Sequence, residues 1–154
     1  MEKAIVFFSG DEKYALSIDD IVTIENSLQV VSGANFPSFI RGITNMRNEV
    51  VPVIDINVVF NKEKIDDANQ KIIVSKMNQH ELIGLLVEET RDIISVTNDM
   101  VKPLNKNLFQ SVPYFTDIIL HDDSLITHLN VSNLVDSLPH FAEVKEQLLE
   151  VTIN

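Results

Sequence analysis

The sequence contains one candidate acid–base pair, Asp117 and His128. If Asp122 and Asp123 form a two-residue loop, the flanking strands pair so that position 121 faces 124 and position 117 faces 128. Asp117 and His128 would then be cross-strand neighbours, close enough to interact. Because no nucleophile or third member accompanies them, we interpret the pair as a local hydrogen bond. A small acidic enzyme that uses these two residues is a distant alternative.

Other chemistry finds little support in the sequence. The four histidines are scattered, with neither an HExxH motif nor a closely spaced ligand pair, so we expect no metal site. The absence of cysteine excludes a thiolate metal site, a disulfide framework and a cysteine nucleophile. With only 4 glycines, the chain has no GxGxxG or Walker loop to hold phosphate. We therefore predict no catalytic residue and no cofactor.

The charge balance narrows the range of partners. Lysine and arginine number 12 against 23 acidic residues, which gives a net charge of −11. Such a field repels nucleic acid and anionic lipid surfaces, so we expect neither a nucleic-acid partner nor membrane insertion. No apolar run is long enough to be a signal peptide or a membrane span. These patterns predict a folded, cytoplasmic protein.

The hydrophobic pattern is that of a β protein. Short apolar or alternating runs of strand length recur along the chain, with turn-forming residues between them. Pro52, inside one such run, predicts an edge strand or a bulge because proline cannot donate to a ladder. Only residues 137–150 have the pattern of a helix, with Ser137 as a cap and Pro139 in the first turn. The prediction is an all-β body with one C-terminal α-helix.

The chain also repeats itself weakly. Residues 51–60 align with residues 126–135, apolar to apolar at most positions, and residues 14–20 align with residues 83–89. The pattern favours two related half-domains, although short apolar strands can also align by chance. The polar stretch 61–70 is the expected junction between them.

Residues 39–56, FIRGITNMRNEVVPVIDI, resemble the signature of CheW-like domains. In that signature a Phe-Ile-Lys-Gly-Val-Thr-Asn-Leu-Arg-Gly hairpin leads into an apolar-Pro-Ile-Val-Asp-Leu strand. The resemblance continues through residues 14–24 and 83–89 and ends with residues 122–131. It therefore covers nearly the whole chain.

This resemblance implies a single CheW-like domain over residues 1–154, built from two tandem five-stranded SH3-like β-barrel subdomains that share a core. The approximate bounds are 1–13 for an N-terminal strand and turn, 14–66 for the first barrel, 70–136 for the second and 137–150 for the C-terminal helix.

The implied function is that of a non-catalytic adaptor in bacterial chemotaxis signalling. One surface would bind the regulatory domain of a CheA-type histidine kinase, and another would bind the cytoplasmic tip of chemoreceptors. The same fold also occurs as the kinase's own regulatory module and in adaptors fused to a receiver domain. A diverged paralogue in a non-flagellar chemosensory pathway is a further alternative.

We predict a partner-binding surface that contains Arg47, Gly42, Ile43, Asn45 and Ile21. Arg47 lies at a predicted hairpin turn, where its guanidinium cannot reach the core and can make paired hydrogen bonds to a partner. Gly42, which has no Cβ, would permit a close backbone approach.

A second prediction concerns an apolar groove between the barrels that could accept a receptor helix. Its candidate residues are Ile18, Val22, Leu85 and Val87, which lie at equivalent places in the repeat. We interpret Asp55 differently, as the cap of a helical turn that extends to Phe60.

Four residues depart from the family pattern. Asn48 replaces the turn glycine, but asparagine also tolerates a left-handed conformation. Thr23 stands where glutamate is frequent, Thr90 where an aliphatic residue is usual, and Asn57 where arginine commonly follows. These changes would weaken or redirect an interface.

Overall fold

The computed structural model describes residues 2–33, 35–66, 70–77, 81–104 and 112–146. Its strands are β1 Lys3–Ser9, β2 Glu12–Ser17, β3 Ile21–Glu25, β4 Ile40–Met46, β5 Glu49–Asp55, β6 Lys71–Met77, β7 Glu81–Val87, β8 Glu89–Ser95, β9 Val101–Pro103, β10 Phe115–His121 and β11 Ser124–Leu129. Its helices include α1 Ile56–Val59 and α2 Val131–Ser137. The predicted all-β class is confirmed.

The strands form two sheets. Sheet A has the order β8-β1-β2-β11-β10-β9, and sheet B has the order β3-β6-β7-β5-β4. Neighbours in each sheet are antiparallel except for β2–β11 and β5–β7, which are parallel. In the described residues these are sheets of six and five strands that pack together without closing into barrels, where the family resemblance implied two five-stranded SH3-like barrels.

The two sheets have matching strand orders, which supports the predicted repeat. The order β8-β1-β2-β11-β10 in sheet A corresponds strand by strand to the order β3-β6-β7-β5-β4 in sheet B. The parallel pair joins the third and fourth strands in both orders. The aligned segments 51–60 and 126–135 each contain the end of a strand followed by a capped helix, with Asp55 and Asn130 as the caps. We infer that the similarity of the two halves is structural.

Each sheet, however, takes strands from both halves of the sequence. Sheet A combines β1 and β2 with β8 to β11, and sheet B combines β3 to β5 with β6 and β7. The predicted division into residues 14–66 and 70–136 therefore does not coincide with the division into sheets.

One large core joins the sheets, as predicted. Phe7, Leu16 and Leu129 of sheet A pack in the same buried cluster as the apolar residues of sheet B and of α2. A smaller cluster lies on the other face of sheet A and includes Val6, Ile119 and Ile126. Since both clusters involve sheet A, its central strands are buried on both faces.

Residues 141–146 are helical and lie within the predicted C-terminal helix 137–150, and a separate helix that was not predicted, α2, precedes them. Helix α2 begins at Val131, before the predicted start, and Ser137 ends it by donating its hydroxyl to the Leu134 carbonyl oxygen over 2.6 Å. Leu138 is extended, as expected for a residue before proline. Residues 141–146 are helical again, and 147–150 lie outside the described residues. Pro139 therefore separates two helices.

The prediction of an edge or a bulge at Pro52 is met in part, because β5 is an interior strand but its pairing with β4 has a register shift between Ile40 and Gly42. Pro52 faces Ile43 of β4, whose backbone N–H and C=O bond to Val31 on the side away from β5. This pair therefore exchanges no ladder bonds. Pairing with β7 begins only at Val53, so the ladder does not require an N–H at position 52.

A polar network joins the turns of the two sheets around Asn57. The Ser9 hydroxyl donates to Asn57 Oδ1 over 2.6 Å, and Asn57 Nδ2 donates to Glu88 Oε1 over 2.6 Å and to the Glu63 carbonyl over 3.2 Å. Glu88 in turn accepts from the Gly10 N–H. Asn57 is buried, and each of its side-chain polar atoms has a partner. Asn57, one of the four residues that depart from the expected pattern, is thus a buried amide with all its hydrogen bonds made.

Candidate functional site

The hairpin of β4 and β5 carries the residues that the sequence singled out. Its two-residue turn is Arg47–Asn48, with φ angles of 53° and 65°. Positive φ at both central positions defines the type I′ turn that matches the twist of paired strands. The predicted hairpin is confirmed, and Asn48 takes the left-handed conformation expected of it. Arg47 is exposed at the tip.

A groove of about 430 Å³ lies along the outer side of this hairpin. It forms because β4 is the last strand of sheet B and the segment before it folds back along its free edge. Val31 and Ile43 exchange backbone hydrogen bonds of 2.8 and 2.9 Å, and the Thr44 hydroxyl donates to the Gln29 carbonyl over 2.8 Å. The lining residues are Ser27, Leu28, Gln29, Val31, Ile43, Thr44, Asn45 and Val50.

The groove has an apolar floor and a polar rim. Leu28, Ile43 and Val50 are half-buried, and Val31 is 55% exposed, which is unusual for a valine beside a sheet edge. Asn45 is exposed in the same lining. An apolar centre with polar surroundings is the usual anatomy of a protein–protein contact.

Gly42 lies beneath the groove and not on its surface. A Cβ built at this position would lie 2.4 Å from the Val31 carbonyl oxygen and 2.9 Å from Val30 Cγ1. The predicted close backbone approach is therefore present, and it is the approach of the 27–31 segment. Gly42 is buried, so its role in this surface is to let the segment pack against β4.

The base of the hairpin is fixed by Asp55. Its carboxylate caps α1 by accepting from the N–H groups of Asn57 and Val58, which confirms the predicted cap. It also accepts from the Ile65 N–H and from Arg41 Nη2, each over 2.9 Å. Arg41 is a β4 residue and also donates to the Ile65 carbonyl. One buried carboxylate thus ties β4, β5, α1 and the following loop together.

Among the predicted partner-binding residues, Ile43 and Asn45 lie together in the groove and Arg47 lies on the same hairpin. Ile21 is half-buried in β3, at the other end of the strand order of sheet B. The structure thus brings three of these five residues to one surface, with Gly42 below them.

The predicted inter-barrel groove needs a correction. Leu85 and Val87 have no exposed surface, because β7 is a central strand of sheet B with both faces covered. They belong to the core and do not line a groove. Ile18 and Val22 are half-buried near the start of β3, and their contact with a receptor stays a prediction.

Leu28, Gln29 and Val31 line the groove but were not among the predicted residues. A signal was present, since Leu28, Val30 and Val31 interrupt an otherwise polar stretch that contains no predicted strand. A short apolar segment without a sheet of its own must pack against another element, and here that element is the edge of β4.

The candidate acid–base pair has the predicted register, with Asp117 opposite His128. His128 Nδ1 lies 3.2 Å from Asp117 Oδ2 and 2.9 Å from Thr116 Oγ1. No group of three or more potential metal ligands occurs within the described ranges. The Thr116 hydroxyl and the Asp117 carboxylate both meet Nδ1, whereas a catalytic triad needs them on opposite ring nitrogens, so the geometry fits a local hydrogen-bond cluster between strands.

His128→Asn tests the enzyme alternative. Because asparagine can keep a hydrogen bond to Asp117 or Thr116, we expect the melting temperature to fall by no more than a few degrees and partner binding to be unchanged. The measurements are thermal unfolding and titration with a partner domain. A defect in signalling with intact folding and intact binding would contradict this expectation and favour chemistry at His128.

One six-stranded and one five-stranded sheet share a core, and the edge of the five-stranded sheet carries a groove beside an exposed arginine. This architecture defines a small all-β module. The family model described as "CheW-like domain" matches residues 3–138 of the chain. The protein therefore belongs to the CheW-like family.

Individual relatives agree with this assignment. The chain is 33% identical over 103 residues to "Chemotaxis protein CheW" of Klebsiella aerogenes, a match that covers 66% of this chain and 61% of the relative. It is 24% identical over 136 residues to the Bacillus subtilis protein of the same name, covering 87% of this chain and 86% of the relative. The chain thus spans less than two thirds of the Klebsiella relative's length.

A solved structure shows the same fold. The scaffolding protein TtCheW from Thermoanaerobacter tengcongensis superposes with a TM-score of 0.77 at 23% identity, over 88% of this chain and 92% of that one. None of the helices in the described part of the chain is long and apolar enough to span a membrane.

Proposed function

We propose that this protein is a non-catalytic cytoplasmic adaptor that couples chemoreceptors to a CheA-type histidine kinase. Membership of the CheW-like family supports the pathway, and the β4 groove carries the proposal for this chain. The groove takes part of the kinase's regulatory domain, and a second surface of the adaptor takes the receptor tip.

The groove supports a protein partner because of its composition. Val31 and Ile43 offer apolar surface that gains free energy when a partner covers it. Asn45 and the backbone of the 27–31 segment provide polar groups at the rim. The hydrogen bonds between Val31 and Ile43 hold this surface in place before binding, so less conformational entropy is lost on association.

Arg47 supports the proposal as an anchor. The type I′ turn projects its side chain from a rigid hairpin, and its guanidinium presents several donors in a planar arrangement. Arginine is over-represented among residues that dominate binding energy. In a chain with a net charge of −11, an exposed arginine beside an apolar groove also marks where an acidic group of a partner is attracted.

Arg47→Ala tests this proposal. We expect it to weaken binding to the kinase's regulatory domain by more than about 1 kcal/mol, or about fivefold in Kd, because an interface anchor is lost. Thermal stability should not change, since the side chain is exposed. Isothermal titration of the wild-type protein and the variant against a CheA-type regulatory domain from the same source measures the effect.

The matched control is Arg91→Ala, which removes an exposed arginine from β8 of sheet A. Kinase-domain binding by this variant should equal that of the wild type. A stability loss in Arg47→Ala equal to its binding loss would give Arg47 a structural role and overturn the interface. No binding by the well-folded wild-type protein would overturn the proposed partner.

A further inference from the structure

A second surface, remote in strand order from the β4 groove, lies at the tip of the β10–β11 hairpin in sheet A. Leu125 is 67% exposed and Leu120 is 42% exposed. The two leucines are direct cross-strand partners, and the pair His121 and Ser124 separates them from the Asp122–Asp123 turn. Directly opposed side chains in an antiparallel pair are close enough to touch. The leucines therefore form one continuous apolar patch.

The hairpin holds this patch in a fixed position. The neighbouring cross-strand pair, Ile119 and Ile126, is almost fully buried in the core on the opposite face of sheet A. Because side chains alternate along a strand, burial of this pair directs Leu120 and Leu125 to the other face. A slip of register that hid the leucines would expose the isoleucines, so the leucines stay accessible.

Acidic residues lie at the same end of sheet A as the leucines. Asp122 and Asp123 form the exposed turn of the hairpin. Strand β2 runs parallel beside β11, with Ile126 opposite Lys13, which places the exposed Asp11 and Glu12 at the same end of the sheet. A hydrogen bond of 2.9 Å from Lys13 Nζ to Ser124 Oγ joins these two turns.

Two lysines near these turns, Lys13 and Lys62, already make hydrogen bonds or ion pairs within the protein. Lys13 binds Ser124 and lies over the ring of Phe8. Lys62 binds Glu12 over 2.9 Å and the Ser9 carbonyl over 2.6 Å. The carboxylates of Asp11 and Asp123, together with that of Asp122, which lies 3.7 Å from His121 Nδ1, give this end of the sheet an excess of acidic groups.

We infer that this leucine patch, defined as Leu120 and Leu125, binds a basic amphipathic segment of a partner protein. Apolar side chains of the partner cover the leucines, and flanking lysine or arginine side chains pair with the carboxylates of the two turns. Like charge disfavours a second copy of this chain, and the same field repels nucleic acid and anionic lipid. The inference concerns sheet A alone and stands whether or not the β4 groove binds a kinase.

The probe is a short synthetic peptide of leucine and lysine whose leucines recur at helical spacing. Its control is a peptide of the same composition with the leucines spread evenly around the helix. We expect the amphipathic peptide to bind the full chain in fluorescence anisotropy and the control peptide to bind at least about tenfold more weakly. Amide shifts in two-dimensional NMR should concentrate at residues 119–126 and at the β1–β2 turn.

The double variant Leu120→Ser, Leu125→Ser should lose binding of the amphipathic peptide by about tenfold or more, because the apolar contact is removed. The matched control is Ile93→Ser, which removes a similarly exposed apolar side chain, 56% exposed, from β8. This control should bind the peptide as the wild type does. Both variants change exposed side chains, so a thermal melt will show them folded.

Three results would overturn the inference. Equal binding of the two peptides would show simple charge attraction, and wild-type affinity in the double variant would place the contact elsewhere. A wild-type dimer in analytical ultracentrifugation that the double variant abolishes would assign the patch to self-association. None of these results bears on titration of the β4 groove with a kinase domain.

Discussion

Asp55→Ala should lower the free energy of unfolding by about 3–5 kcal/mol, the usual cost of removing one partner from a buried ion pair. The carboxylate accepts from the N–H groups of Asn57, Val58 and Ile65 and from Arg41. Ile65 is buried, so its N–H would lose its partner where water has poor access. Urea unfolding followed by circular dichroism measures the loss. We expect the dependence of the unfolding free energy on urea concentration to stay the same.

Asp55→Asn and Asp136→Ala are the controls for this prediction. Asparagine keeps the cap of α1 but not the charge, so we expect an intermediate loss. Asp136 is an exposed residue in the last turn of α2, where a carboxylate faces the negative end of the helix, so alanine should cost nothing. A loss below about 1 kcal/mol in Asp55→Ala would show that water replaces the carboxylate.

Gly42→Ala should both destabilise the protein and abolish binding at the β4 groove. The new Cβ would lie 2.4 Å from the Val31 carbonyl oxygen, which is closer than a non-bonded carbon and oxygen can approach. The 27–31 segment must then move away from β4, which breaks the hydrogen bonds between Val31 and Ile43. We expect a loss of about 1–3 kcal/mol from overpacking and faster amide exchange at Val31 and Ile43.

Gly84→Ala is the matched control, because it adds the same methyl group to a central strand. Its Cβ would lie 3.1 Å from Ile72 Cγ2 and 3.2 Å from Val53 Cγ2. These are side-chain atoms of β5 and β6, which can shift slightly and do not belong to the 27–31 segment, so stability should fall without loss of groove binding by the folded fraction. If Gly42→Ala bound a kinase domain as well as Gly84→Ala does, the 27–31 segment would not belong to the interface.

Local patterns in the sequence predicted the hairpins and caps well. The Arg47–Asn48 turn, the register that places Asp117 opposite His128 and the cap at Asp55 all have the predicted form. Each of these features depends on residues close in sequence, whose turn and capping preferences act locally. The family and the all-β class followed from the hairpin signature and the strand-length pattern.

Features that depend on distant residues were less predictable. Leu85 and Val87 were placed in a groove although the apolar run of β7 is the pattern of a strand buried on both faces. The groove needs the 27–31 segment to cross to β4, and no local preference encodes that contact. Helix α2 was missed because its apolar residues, aligned with residues 56–60, were interpreted only as part of a repeat.

The exchange of strands between the two sheets has a consequence for how the chain folds. Sheet A is incomplete until β2 pairs with β11, which joins residues 13–15 to residues 126–128. Sheet B, by contrast, is built from residues 21–87 alone. Contacts between such distant segments carry a large loop-closure cost, so sheet B has the shorter path to its native contacts. Neither half of the chain contains all the strands of one sheet. Two fragments cut at the 61–70 junction would therefore have to associate to fold, each completing the sheet of the other.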